Sequence, residues 1–379
     1  MKNLINNHFK NLFGWNINRK IVVFSVDDYG NVRLNSRESY EKMVSAGLKP
    51  VNHFDRLDTL ETTDDLTALF EVLTSVKDCK NEYAKFTPFA LPCNIDFERI
   101  VENNYEKFEF ETLTSTFEKL SALQPNAYTG AWNLWKEGMN LGIFCPQFHG
   151  REHLNLKVFN DHLEYKNTEF RIALQNRSYS LIPNNKFPSI SYTAAFDIEF
   201  ESDTQSYKEI ITEGVNCFNE VFGYFPLHFN APGASANKRI NQYLVDSGIK
   251  FSDNPFIQKE HLGNFKYRYH LNYSGKKLSS NLYNLNRNVV FEPCEDKGYN
   301  AVDVALTQID AAFRMNKPAI ISSHRVNFCG HISESNRSVG LFSLKDLLQK
   351  ILKKWPDAEF FTSGELCELY NIEKPNHHS

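Results

Sequence analysis

Short apolar runs of strand length alternate along this chain with segments of helical periodicity. "KIVVFSV" (20–26) is a continuous apolar run, the pattern of a strand covered on both faces. "NSRESYEKMVSAG" follows and reads as a helix capped by Asn35 or Ser36 and ended near Gly47. Residues 54–78 read as a second helical region, broken near Thr62 and Thr63, and "AKFTPFALPC" as the next strand. Helices are expected over 98–120, 131–138, 155–167, 204–220 and 236–247, with strands at 141–148, 192–197 and 224–230. "IKFSD", "NVVFEP", "PAIISSH" and "AEFFTS" (358–363) complete the strands; "VDVALTQIDAAFRM" and "SLKDLLQKILKKW" have the spacing of amphipathic helices.

Repeated strand–helix alternation implies parallel strands with right-handed crossovers. The expected fold is therefore α/β, a distorted (β/α) barrel of about seven parallel strands, with a large open sheet as the other solution. The chain reads as one catalytic domain over residues 1–379, with insertions around 50–140 and 254–287; the latter stretch, rich in Tyr, Asn and Lys, is placed to wall a cleft.

Composition narrows the function. The chain has 379 residues, 41% apolar, 31 of them Phe, which is enough for a full core. A net charge of -4 without a long Lys/Arg block argues against a dedicated nucleic-acid binder. The seven cysteines are scattered with no CxxC pair, so neither a disulfide framework nor a thiolate zinc motif is expected. The first twenty residues are too polar for a secretory apolar core, and no 18-residue apolar run predicts a membrane span. A cytoplasmic protein is expected; the oligomeric state is left open. Neither GxGxxG nor GxxxxGK[ST] occurs.

Four polar clusters sit just after predicted strands, all on one side of a parallel sheet: Asp27-Asp28, "QFHGREHLN" with His149 and His153, "HFNAPGAS" (228–235), and "SSHRVNF" with His324 and Arg325. Barrels and open α/β sheets place their chemistry at these strand ends. Two imidazoles spaced i, i+4 and one carboxylate make a ligand set for a divalent transition metal. One of the two aspartates could bind the ion and the other reach its water; alternatively Asp28 caps a turn with Gly30, and Asp27 binds backbone N–H groups. His324 serves as a third histidine ligand, as a general acid, or as a core histidine bonded to a carbonyl. Arg151, Glu152, Arg287, Glu292 and Arg325 are candidates for substrate contacts or for orienting the ligands, Glu152 as the carboxylate on the second nitrogen of a ligating histidine. Tyr29, Trp132 and Trp135 are candidate sugar platforms, and a backbone N–H near Tyr29 or Gly30 a candidate oxyanion donor.

"SVDDYG", "HGREH", "NAPGA" and "ISSHR" together resemble the motifs of the polysaccharide deacetylase superfamily, the NodB-like group; "DDYGNVRLN" is also similar to YdjC-type sugar deacetylases. The resemblance implies a distorted (β/α) barrel, Asp27 as base, Asp28, His149 and His153 as metal ligands, and His324 as acid. It implies one divalent metal ion, Zn²⁺ first, and an acylated sugar or glycan as substrate, with N-deacetylation in bacterial surface-polysaccharide biosynthesis as the activity. An O-acyl esterase or deformylase acting on sugars, and an inactive glycan-binding protein on the same scaffold, are the alternatives. Asn230 stands where the family has an Arg that orients the catalytic Asp; Arg287 or Arg325 is expected to replace it. The family's fourth motif has no clean match, "FEPCED" being a loose substitute.

Overall fold

The computed structural model describes residues 8–182, 186–234 and 236–373; Ser235, the end of the third polar cluster, and the first seven residues lie outside them. The fold is α/β, built on a curled, open mixed sheet of ten strands. In chain order the strands are β1 (Lys20–Tyr29), β2 (Phe86–Ala90), β3 (Cys93–Ile95), β4 (Phe110–Thr112), β5 (Gln147–Phe148), β6 (His228–Asn230), β7 (Phe251–Asp253), β8 (Ile257–His261), β9 (Tyr267–Leu271), β10 (Lys277–Ser279), β11 (Leu282–Leu285), β12 (Val289–Val290), β13 (Ala319–His324) and β14 (Ala358–Phe361). The main path is β10-β11-β7-β6-β5-β2-β1-β13-β12, parallel except for β10 against β11. β1 pairs with β13 along one edge, and its other edge is shared by β14 near its start and β2 near its end. β3–β4 and β8–β9 form separate two-stranded ribbons.

The alternation of side chains along β1 separates two cores. Val22, Phe24 and Val26 face the large core, which includes residues of the helices Thr204–Phe222, Ala301–Arg314 and Glu334–Lys354. Ile21 and Val23 face the other way and share a smaller cluster with Phe251, Leu285, Ile320 and the C-terminal helix residues Leu366, Cys367 and Tyr370. β1 and β7 are not neighbours in the sheet, so this cluster exists only because the sheet curls. On the same inner face, a few residues further along each strand or just past its end, apolar side chains give way to polar ones: Asp27 after Val23, Asp253 after Phe251, Arg287 after Leu285, His324 after Ile320. The open half-barrel thus has an apolar floor and a polar mouth.

Local deviations from the expected elements have physical causes. Residues 98–120 are not one helix: Asn104 and Tyr105 take positive φ (56° and 62°), ending the helix Phe97–Glu102 and letting β4 return onto β3 before the helix Leu113–Leu123. Residues 192–197 form turns, not a strand; the Asn155 side-chain amide donates to the Ala194 and Asp197 carbonyls. The strands expected at 141–148 and 224–230 shrink to two and three residues, and the helix expected at 236–247 to Ile240–Asp246. The break near Thr62 is a capping box in which Thr62 and Asp65 bond each other's backbone N–H at the start of the helix Thr63–Thr74. Among the described residues no helix is long and apolar enough to cross a membrane.

Candidate metal and acid–base site

β1 ends in an irregularity. Its register with β2 shifts between Val26 and Tyr29, and Asp28 adopts φ 74°, in the left-handed region that non-glycine residues rarely occupy. The bulge aims neighbouring carboxylates at different partners, where a regular strand would send them to opposite faces.

Asp28 meets the two histidines of the loop after β5. One ligand atom from each of Asp28, His149 and His153 lies within 4.8 Å of the others, and all three residues are buried. Asp28 Oδ1 is 3.0 Å from His153 Nε2 and 3.4 Å from His149 Nε2. His149 Nδ1 donates to the Asn230 carbonyl at 2.9 Å, which fixes the tautomer and leaves a lone pair on Nε2. That Nε2 is buried with no hydrogen-bond partner and faces a carboxylate oxygen. Two buried lone-pair donors facing each other call for a cation between them, and this donor set fits a divalent transition metal. Burial disfavours the Asp28 carboxylate, yet the adjacent His153 holds its pKa well below the usual range. The cluster is compatible with metal-dependent catalysis.

Asp27 is held separately. Arg287 donates to both its carboxylate oxygens, at 2.7 and 2.8 Å, in a bidentate fork. The guanidinium lies over the Phe89 ring at 4.7 Å, and its Nε donates to Asp253 at 2.6 Å. Asp253 in turn accepts from His228 Nε2 at 2.9 Å, and His228 Nδ1 meets the Ser363 hydroxyl. Burial works against the Asp253 carboxylate, but His228 and Arg287 lower its pKa. Of the two arginines expected near Asp27, Arg287 is the one in place.

His324 closes the opposite side. Its Nε2 is 3.9 Å from Asp27 Oδ2, and its Nδ1 bonds Glu292 at 2.8 Å. Glu292 is itself fixed by the Asn327 amide at 2.6 Å. Burial disfavours the imidazolium, but Glu292, with Asp28 and Asp27, overcomes this and raises the pKa to about 10. A third of the His324 side chain is exposed, making it the most open member of the group.

Other candidates lie elsewhere. Arg325 is 1% exposed and bonded to Asp58, Glu61 and the Asn31 carbonyl, an internal brace with no free donor face. Arg151 and Glu152 pair with each other, Arg151 also reaching Glu213 and the Phe110 ring at 4.2 Å; Glu152 therefore does not orient a ligating histidine. Asn230 contributes its carbonyl rather than an orienting side chain. Tyr29 and Trp135 are buried against Phe144, so neither offers a sugar platform; Trp132, half-buried, packs on Phe117 and Phe222. The Gly30 N–H is engaged by Glu61 at 3.3 Å. Sequence reasoning missed Asp253, whose signal was its position at the end of "IKFSD", and did not single out His228 and Asn327 within the third and fourth polar clusters.

No family model matches the chain, and no curated protein matches it. Among solved structures, a "probable Polysaccharide deacetylase" from Pseudomonas aeruginosa PAO1 aligns over 94% of this chain and 93% of its own, at 10% identity and TM-score 0.46. The Puue allantoinase aligns over 95% and 93%, at 10% identity and TM-score 0.45. The 4-alpha-glucanotransferase from Thermococcus litoralis aligns over 92% of this chain but 40% of its own, at 9% identity and TM-score 0.45. Likeness at this level does not extend to chemistry, which rests on this chain's own residues.

Proposed function

We propose that the protein is a metal-dependent hydrolase that removes an N-acetyl group from a sugar or glycan, acting as a single catalytic domain. The reading is carried by one observation: the Asp28–His149–His153 cluster lies beside a second, independently held carboxylate, Asp27, with His324 across from it. Asp28, His149 and His153 would hold one divalent ion, Zn²⁺ being the best match to two imidazoles and a carboxylate. When bound, such an ion supplies a more acidic water and polarises the acyl oxygen. Asp27, oriented by the bidentate fork of Arg287, takes a proton from the attacking water. His324, kept protonated by Glu292, donates to the departing amine, so that acetate and an amino sugar leave. The seven free cysteines suit a reducing cytoplasm, and surface-polysaccharide biosynthesis is a fitting setting.

The two aspartates separate the roles. Asp28→Ala is expected to lose metal and activity together; Asp27→Ala is expected to keep stoichiometric metal and lose at least about a hundredfold in kcat, within the range of general-base contributions. Metal content and acetate release are measured on the same preparations, with N-acetyl, N-formyl and O-acetyl sugars offered in parallel. Full hydrolysis by metal-free protein would sink the mechanism, and release from the O-acetyl panel alone would change the bond.

A further inference from the structure

The segment between Asp253 and Arg287 carries more than the core needs. It leaves the sheet after β7 and rejoins it at β10 and β11, ending beside Arg287, which holds Asp27 and is itself held by Asp253. Within it, β8 and β9 form a ribbon with unequal faces. Ile257 pairs with Leu271 and Lys259 with Tyr269, and these side chains share the outer face. Ile257 is 59% exposed, Leu271 57%, Tyr269 66%, and Phe265 at the turn 60%. The inner face is satisfied: Gln258 and Glu260 are buried, Glu260 bonding His270 and the Lys238 N–H. A folded chain that buries Gln and Glu while exposing Ile, Leu, Phe and Tyr on one ribbon presents that face to something. The patch continues onto residues 9–13, where exposed Phe9 and Phe13 touch Phe256 and Tyr273 at the ribbon's root.

Charge identifies the occupant. Residues 254–287 hold six Lys/Arg against a single acid, Glu260, in a chain whose net charge is -4. Lys259 and Lys266 are exposed, and among the described residues neither forms an ion pair. Lys259 lies over the Tyr267 ring at 3.7 Å, its ammonium at the edge of the apolar face. Exposed aliphatic and aromatic side chains rimmed by unpaired cations match the boundary of an anionic bilayer: rings and aliphatics enter the headgroup region while Lys and Arg meet the phosphates. A second copy of the chain would bring the same positive rim against itself. We propose that the β8–β9 ribbon docks the protein peripherally on an anionic lipid surface.

The full chain is sedimented with phosphatidylcholine vesicles, with and without phosphatidylglycerol. Binding is expected only with the anionic lipid, and is expected to fall steeply as salt rises. Tyr269→Ser with Leu271→Ser, and separately Lys259→Glu with Lys266→Glu, should each weaken binding at least about tenfold, the order expected for losing apolar burial or lipid-facing charge. Unaltered urea unfolding of both variants establishes that the ribbon's loss of binding is not a loss of fold. No partition into anionic vesicles overturns the proposal. So does a dimer in solution that the same substitutions disrupt, or salt-sensitive binding to single-stranded DNA that matches or exceeds vesicle binding. All these readouts are independent of metal and turnover.

Discussion

Asp27 and Asp28 are chemically identical neighbours that the backbone makes different. The positive φ of Asp28 costs of order 1–3 kcal/mol for a non-glycine residue, and a glycine there would remove the strain along with the carboxylate. The polar contacts around His324 show the same division of labour. Glu292 raises its pKa to about 10, so the imidazolium persists through neutral pH. For an acid that must be protonated, activity falls as pH rises through the folded pKa; a cation bound near Asp28 offsets part of the rise but leaves the Glu292 contribution. Glu292→Gln is therefore expected to move the alkaline limb of kcat/KM down by at least about one unit, with the acidic limb and metal content unchanged. An alkaline limb that stays in place would show that His324 is not the acid. The sign for stability is parallel: a raised histidine pKa stabilises the fold fully below the ordinary value of 6.5, and that contribution is lost as pH rises through about 10. The wild-type protein should show this loss on alkaline titration of its unfolding midpoint, and Glu292→Gln less of it.

At the scale of elements, packing holds the acid in place. The helix Glu334–Lys354 crosses the turn Arg325–Phe328 at Gly340, where an added Cβ would lie 1.7 Å from the Asn327 carbonyl oxygen. A backbone oxygen cannot rotate aside as a side chain can, and overpacking of this kind costs typically about 1–3 kcal/mol. Gly340→Ala is expected to lower the urea midpoint by the equivalent of about 3 kcal/mol, at the top of that range. Because Asn327 also holds Glu292, kcat should fall in the folded fraction; an unchanged midpoint would mean the helix shifts freely. Elements with long unbroken patterns were legible in the chain: β1 and β13 as apolar runs, the helices 204–222 and 301–314 by their spacing. The strands β5, β6 and β12 were located but their extents were not, since two or three residues carry no period and are set by their neighbours in the sheet. The strand β4 was hidden for the opposite reason, lying within 98–120, whose charged residues fit a helical face.

For the whole molecule, the strand-end positions of Asp28, His149 and His153 were readable, because a parallel sheet sends such positions to one rim. The partner of Asp27 was narrowed to two arginines and no further: Arg325 follows one apolar strand run and Arg287 precedes another, and only the three-dimensional path shows Arg325 turned toward Asp58 and Glu61. The same long-range assembly makes a prediction about stability. Roughly 120 residues separate Asp28 from the two histidines, so the unfolded chain holds no preformed site and a bound ion stabilises the native state by mass action. At a free concentration a hundred times Kd, that linkage amounts to about 2.7 kcal/mol. For a chain of this size it should raise Tm by several degrees, reversibly on chelation. Asp27→Ala should keep the shift, since Asp27 is bound to Arg287 and not to the histidines, whereas Asp28→Ala should abolish it. An equal metal-induced rise in Tm for Asp28→Ala would locate the ion elsewhere and remove the basis for assigning different tasks to the two carboxylates.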